Sequence, residues 1–123
     1  MEHIIEIENL CKSFGEVKAV QDLSFHVQRG ELFAFLGVNG AGKSTTISIL
    51  SGQLEKDSGS VRVCGEEIDR ALAGISRRLG VVFQSSALDS VLTVRENLRS
   101  RAALYGITGE RFRPRLAELS ALL

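Results

Sequence analysis

The sequence predicts an α/β fold with an antiparallel β portion at its N-terminal side. Residues 32–36, "LFAFL", are apolar at every position, which is typical of a strand buried on both faces of a parallel sheet. A glycine-rich turn and then a helical segment follow this strand, as they do in α/β units. The earlier segments 4–8 and 23–27 instead alternate apolar and polar residues, a pattern of half-exposed strands.

The middle of the chain continues this alternation of strands and helices. A helix is expected over residues 43–51, ending at Gly52, and "SVRVCG", residues 60–65, indicates a short strand. A short helix over residues 73–79 then precedes "GVVFQ", residues 80–84, which is a second strongly apolar strand.

Two amphipathic helices are predicted in the last third of the chain. Thr93 and Glu96 form a capping box in the sequence, in which each side chain satisfies a backbone amide at the helix start. The helix that follows should end at Gly106. The final segment stops in the middle of its apolar pattern without a cap, so we expect a truncated fold. The first helix has one apolar face, Val94, Leu98, Ala102 and Tyr105, and the second has the stripe Leu116, Leu119 and Leu123.

Composition and charge restrict the classes of function. No apolar run approaches the roughly 20 residues of a membrane span, and the start of the chain does not resemble a signal peptide, so a cytoplasmic location is expected. The formal net charge of zero argues against a nucleic-acid partner. The net charge is −4 up to Ser76 and +4 from Arg77 onward, which indicates either a solvated face or a docking surface.

The segment "GVNGAGKS", residues 37–44, fits the pattern G-x-x-x-x-G-K-[ST] between a predicted strand and a predicted helix. Glycines at Gly40 and Gly42 let backbone amides wrap an anion, where a Cβ would fill the space that phosphate oxygens need. Lys43 adds a positive charge for the β- and γ-phosphates, Ser44 can bind Mg²⁺, and Thr45 can reach the α-phosphate side. The sequence therefore predicts a site for the phosphates of a nucleoside triphosphate.

A residue that would promote hydrolysis is harder to find. Enzymes with this loop use an acidic residue at the end of another strand to hold the metal's water shell. The candidates Glu66, Glu67, Asp69 and Asp89 follow short or broken apolar runs and are better explained as surface carboxylates. Gln84 ends a buried strand, where its amide could touch Mg²⁺ or water, or only make loop hydrogen bonds.

Several of these segments together resemble the N-terminal half of the ATP-binding domain of ABC transporters. "LGVNGAGKST" is similar to the phosphate loop of that family, with Val38 where proline is common. "LCKSFGEVKAV" resembles the first strand and the A-loop, and "LGVVFQSSALDSVLTVRENL" resembles the Q-loop region. "GAGKSTT" and "LTVRENL" together are most similar to the branch with drug-resistance and ABC-2-type exporters.

The resemblance implies a P-loop NTPase core over residues 1–91, including the antiparallel β portion, and the start of a helical subdomain over residues 92–123. It implies that Phe14 stacks on adenine, although Phe14 could equally be a core residue. It also implies that Lys43 and Gln84 are catalytic, and that Ser44 and Gln84 hold Mg²⁺. The residues implied to bind ATP are Phe14, Asn39, Gly40, Ala41, Gly42, Lys43, Ser44 and Thr45.

The family also implies partners. Its ATP-binding subunits sit peripherally at the inner face of the cell membrane, against transmembrane subunits, and two ATP-binding domains hydrolyse ATP between them. Arg95, Arg99 and Arg101 would then lie near the membrane partner.

The family's signature, Walker B, D-loop and switch-histidine motifs have no match here, so we expect the chain alone to be inactive as an ATPase. The alternative is a non-hydrolysing ATP-binding or interaction module. A kinase or GTPase-like fold ranks last because no N/T-K-x-D tetrapeptide is found.

Overall fold

The computed structural model describes residues 2–36, 42–82 and 88–122. The chain divides into two units, Met1–Val81 and Val82–Leu123.

A long β-hairpin forms the centre of the first unit. β1 (His3–Phe14) and β2 (Val17–Gln28) pair antiparallel along their length, with Phe14 opposite Val17 at the turn. Gly15 occupies that turn with φ of 61°, a left-handed conformation that glycine adopts at little cost. The observed strands extend well beyond the predicted segments 4–8 and 23–27 because pairing continues to the hairpin turn.

Two shorter strands complete a four-stranded sheet with the order β2-β1-β3-β4. β3 (Ser58–Val63) pairs antiparallel with β1, and β4 (Glu66–Glu67) pairs antiparallel with β3. The antiparallel β portion predicted from the sequence is therefore present.

Two helices supply the rest of the core of this unit. α1 (Lys43–Leu50) and α2 (Ile68–Ser76) contribute buried isoleucines that pack with apolar residues of the sheet. The buried core cluster consists of Ile7, Leu10, Val20, Ile49, Val61, Val63, Ile68 and Ile75.

The end of α1 agrees with the prediction. Gly52 has φ of 79°, its amide donates to the carbonyl of Ile49, and the amide of Gln53 donates to the carbonyl of Ser48. These two bonds form a Schellman motif, which satisfies carbonyls that a helix end would otherwise leave unpaired. A Cβ on Gly52 would lie 2.4 Å from Leu72 Cδ1, so this turn also packs against α2.

The described residues depart from three predictions for the middle of the chain. Residues 31–36 form no regular secondary structure, and neither do residues 80–82; Phe83 and Gln84 lie outside the described residues. A strand needs a neighbour to pair its backbone groups, and none of the described strands runs beside either segment. The short helix expected over residues 73–79 instead spans Ile68–Ser76 with a kink at Ala71, and both Ile68 and Ile75 are buried in the core.

The second unit contains α3 (Val94–Leu104), a 3₁₀ turn (Gly109–Arg111) and α4 (Phe112–Ser120). The predicted capping box is present: the Glu96 amide donates to Thr93 Oγ1 at 3.1 Å, and the Thr93 amide donates to Glu96 Oε1 at 3.3 Å. Gly106, with φ of 77°, follows the helix end as predicted.

The apolar faces predicted for these two helices line one groove. Leu98, Ala102 and Tyr105 of the α3 segment face Leu116 and Leu119 of α4 there. Val94 departs from the prediction and is 77% exposed, and it does not line the groove. It is the first residue of α3, one turn before Leu98. Leu123 lies outside the described residues.

Candidate functional site

Gly42, which directly precedes α1, is the first described residue of the predicted phosphate loop. Gly42 is the N-cap residue of α1 and has φ of 85°. A Cβ at this position would lie 2.3 Å from the Ala19 carbonyl oxygen and 3.1 Å from Val20 Cγ2. Glycine is thus required here because position 42 packs closely on β2, in addition to the space expected for phosphate. Asn39, Gly40 and Ala41 lie outside the described residues.

Thr46 fixes the first turn of α1. Its side chain is fully buried, and its Oγ1 donates to the Gly42 carbonyl oxygen at 2.8 Å. The Thr46 amide donates to the same oxygen at 2.9 Å. Sequence reasoning overlooked this residue, although a hydroxyl four residues after Gly42 is placed for such a bond.

The predicted phosphate ligands occupy the start of α1. Lys43, Ser44 and Thr45 are its first three residues; Ser44 is exposed, and the other two are half-buried. The first turn contains no acidic residue, so no carboxylate within the helix offsets the positive end of its dipole. This end of the helix is suited to an anion, and the Ser44 hydroxyl is accessible to a metal ion bound to it.

Phe14 lies at the end of β1, and its side chain is 49% exposed, so it is not a core residue. Its cross-strand partner is Val17, and Ala19, which Gly42 approaches, is two residues further along β2. Two residues of a strand span roughly 7 Å. The exposed ring of Phe14 and the start of α1 therefore both lie near the turn end of the β1–β2 hairpin.

Three of the candidate carboxylates, Glu67, Asp69 and Asp89, contact neighbouring residues of the fold. Asp69 Oδ2 lies 2.7 Å from Lys56 Nζ, and Asp89 Oδ1 accepts a hydrogen bond from the Val91 amide at 2.9 Å. Glu66 and Glu67 form β4, where Glu67 faces Arg62 across the strand pair. Within residues 2–36, 42–82 and 88–122, no group of three or more His, Cys, Asp or Glu side chains is arranged to hold a metal.

Gln84, predicted to contact metal and water, lies outside the described residues. Arg95, Arg99 and Arg101 are exposed on α3, and the Arg99 guanidinium lies 5.3 Å from the centre of the Phe112 ring.

Asn97 is a residue that sequence reasoning overlooked in the second unit. It is buried, its Oδ1 accepts from the Asp89 amide, and its Nδ2 donates to the Asp89, Leu92 and Thr93 carbonyls. Asn97 thus holds residues 89–93, which directly precede α3. Asn97 is not part of the predicted apolar face of this helix, so the pattern gave no signal of this role.

In the described ranges, no helix is both long enough and apolar enough to cross a membrane. A family model described as ABC transporter matches residues 20–122. The chain belongs to the ABC transporter family.

Relatives within this family are named as ATP-binding proteins. The chain is 44% identical to the Nod factor export ATP-binding protein I of Paraburkholderia xenovorans (strain LB400), over 98% of this chain and 41% of that protein. It is 40% identical to the linearmycin resistance ATP-binding protein LnrL of Bacillus subtilis (strain 168), over 94% of this chain and 37% of that protein. The chain spans about two fifths of the length of these ABC relatives.

A solved structure of an ATP-binding subunit of an ABC transporter superposes on the chain with a TM-score of 0.76 and 31% identity. The match covers 85% of this chain and 44% of that one. The predicted fold class is thereby confirmed as that of an ABC ATPase domain with its P-loop NTPase core, of which the chain covers about half. The resemblance to ATP-binding proteins that include drug-resistance and export relatives is confirmed as well.

Proposed function

We propose that this chain holds the phosphates of ATP in an ABC transporter ATP-binding subunit. In the complete protein, binding and hydrolysis of ATP would be coupled to export across a membrane. The observation that carries the proposal is the junction at Gly42, which packs on β2 and directly precedes Lys43 and Ser44 at the start of α1. The names of the relatives as export and resistance ATP-binding proteins support the direction of transport.

Each proposed ATP contact has a distinct role. Backbone amides from Asn39 to Gly42 surround the phosphates, and Lys43 neutralises charge on the β- and γ-phosphates. Thr45 serves the α-phosphate side. Phe14 stacks on adenine, which is supported by its exposure at the end of β1.

A bound Mg²⁺ would supply charge neutralisation at the phosphate oxygens. We propose that the Ser44 hydroxyl and the Gln84 amide oxygen hold it, since both are hard oxygen ligands of the kind that Mg²⁺ prefers. The exposed Ser44 hydroxyl, directly beside Lys43, fits this role. Lys43 and Gln84 would be the catalytic residues that the chain contributes.

We propose transmembrane transporter subunits and a second ATP-binding domain as partners, at the cytoplasmic face of the cell membrane. Residues 1–91 would serve as the nucleotide core, and residues 92–123 would begin the helical subdomain. The exposed arginines Arg95, Arg99 and Arg101 support a docking role for α3.

The first experiment is a calorimetric titration of the chain with Mg·ATP, beside its Lys43→Ala variant. Hydrogen bonds to charged groups contribute about 1.5–3 kcal/mol, so the variant should lose roughly 10- to 150-fold in affinity. Arg70→Ala is the matched control, because it removes one positive charge from an exposed position on α2. Its affinity should be unchanged. Equal affinity of Lys43→Ala and the parent chain would refute the phosphate-loop assignment.

A second candidate function, ATP binding without hydrolysis, is favoured for the isolated chain because Asp69 and Asp89 are already engaged in structural contacts. Phosphate release from saturating Mg·ATP separates the two candidates, and we expect none from the chain alone. Turnover that depends on Lys43 would show that one of Glu66, Glu67, Asp69 and Asp89 acts as a catalytic acid.

A further inference from the structure

A cluster of charged side chains lies beside Phe14, outside the predicted phosphate loop. Asp57 immediately precedes β3, and its amide donates to the Cys11 carbonyl oxygen at 3.0 Å. Its carboxylate reaches back to β1: Oδ2 accepts from the Ser13 amide at 2.7 Å, and Oδ1 accepts from Lys12 Nζ at 3.2 Å. One carboxylate thus contacts the two residues that directly precede Phe14.

The carboxylate takes the place of a missing strand partner. Pairing between β1 and β3 ends at Cys11 and Ser58, two residues before Ser13. Beyond that point β3 no longer runs beside β1, and the Asp57 side chain pairs the Ser13 amide instead. Strand ends fray readily when their backbone groups lack partners, so this bond should stabilise the backbone that carries Phe14.

The Lys12 ammonium lies between Asp57 and the aromatic ring. Its side chain is only 14% exposed, and its Nζ lies 5.5 Å from the centre of the Phe14 ring, over one face. Hydrogen bonds from the Ser13 amide and from Lys12 hold the pKa of the Asp57 carboxyl below its usual range. The carboxylate therefore stays ionised at neutral pH and holds the ammonium against the ring.

We infer that Asp57 is a positioning residue for the base of the bound nucleotide, acting through Ser13 and Lys12 on Phe14. The inference rests on the proposed stacking of adenine on Phe14. With the ammonium over one face, a flat base has the other face of the ring to stack on. Holding the ring in place before binding lowers the entropy cost of stacking.

The test compares two ligands, ATP and inorganic tripolyphosphate, because the second occupies a phosphate loop but has no base. Asp57→Ala should weaken ATP binding about three- to tenfold and change tripolyphosphate binding by less than about twofold. Lys12→Met should weaken ATP binding about two- to fivefold. Asp57→Asn keeps an acceptor for the Ser13 amide but loses the charge facing Lys12, so it should fall between the parent and Asp57→Ala. Glu55→Ala, an exposed acidic residue two positions earlier, is the matched control and should bind both ligands normally.

A double-mutant cycle with Phe14→Ala separates positioning from general stability. Stacking of a base on an aromatic side chain corresponds to roughly 5- to 150-fold in affinity, so Phe14→Ala should weaken ATP binding within that range. Adding Asp57→Ala to Phe14→Ala should then cost nothing further, because the ring it positions is gone. The same cycle with Asp57→Asn serves if Asp57→Ala does not fold.

The outcomes distinguish the two levels of the proposal. If Phe14→Ala leaves ATP affinity unchanged, the stacking assignment is wrong and the role of Asp57 falls with it. If Phe14→Ala weakens ATP binding but Asp57→Ala and Lys12→Met do not, only the positioning role is overturned. Equal losses for ATP and tripolyphosphate, or additive losses in the cycle, would show a purely structural role and would also overturn it.

Discussion

At the scale of single residues, one added methyl group at position 42 tests the junction between β2 and α1. Gly42→Ala forces a Cβ to within 2.3 Å of the Ala19 carbonyl oxygen and demands a left-handed backbone from alanine. We expect the free energy of unfolding to fall by about 1–3 kcal/mol or more, measured by urea denaturation. Gly80→Ala is the control, since a Cβ there has nothing within 4 Å. A Gly42→Ala variant as stable as the parent would show that position 42 does not pack on β2 as described.

Local residue patterns point to only part of the proposed site. Lys43 and Ser44 were predicted because the phosphate-loop pattern is contiguous, and each proposed role follows from position within it. Asp57 was not found because its contacts with Lys12 and Ser13 join residues more than 40 positions apart. Only the pairing of β1 with β3 brings them together, and no spacing in the sequence records that.

At the scale of elements, the capping box of α3 makes a quantitative prediction. Thr93→Ala removes the acceptor of the Glu96 amide and should destabilise α3 by about 1 kcal/mol. Hydrogen exchange of the α3 amides measures this loss as reduced protection. Thr108→Ala is the matched control, because Thr108 precedes the 3₁₀ turn and its side chain makes no capping bond. Equal protection in the Thr93→Ala variant and the parent would contradict the capping role.

Element prediction succeeded where the determinants are local. The starts and ends of helices depend on residues within about four positions, so Gly52, Thr93 and Gly106 marked their boundaries correctly. Strands 32–36 and 80–84 were predicted from apolar composition alone, which specifies burial but not a pairing partner. Residues 31–36 have the composition of a buried strand, but none of the described strands pairs with them, and they form no regular secondary structure.

At the scale of the whole molecule, residues 31–36 leave apolar side chains in contact with water. Leu32 is 100% exposed and Leu36 is 87% exposed, while Phe33 stacks on Phe25 of β2 with ring centres 5.0 Å apart. Exposed apolar side chains favour association between chains. We therefore expect the chain to associate as its concentration rises, with a concentration-dependent thermal transition.

A double substitution, Leu32→Lys with Leu36→Lys, tests whether the exposed leucines drive this association. Light scattering should show less association at a given concentration, while the free energy of unfolding stays within about 0.5 kcal/mol because neither side chain is packed. Phe33→Lys is the contrasting variant: it removes the stacking partner of Phe25 and should lower stability. A parent chain that is monomeric at all concentrations, with one concentration-independent melt, would contradict the prediction. Association unchanged by the double substitution would assign it to another surface.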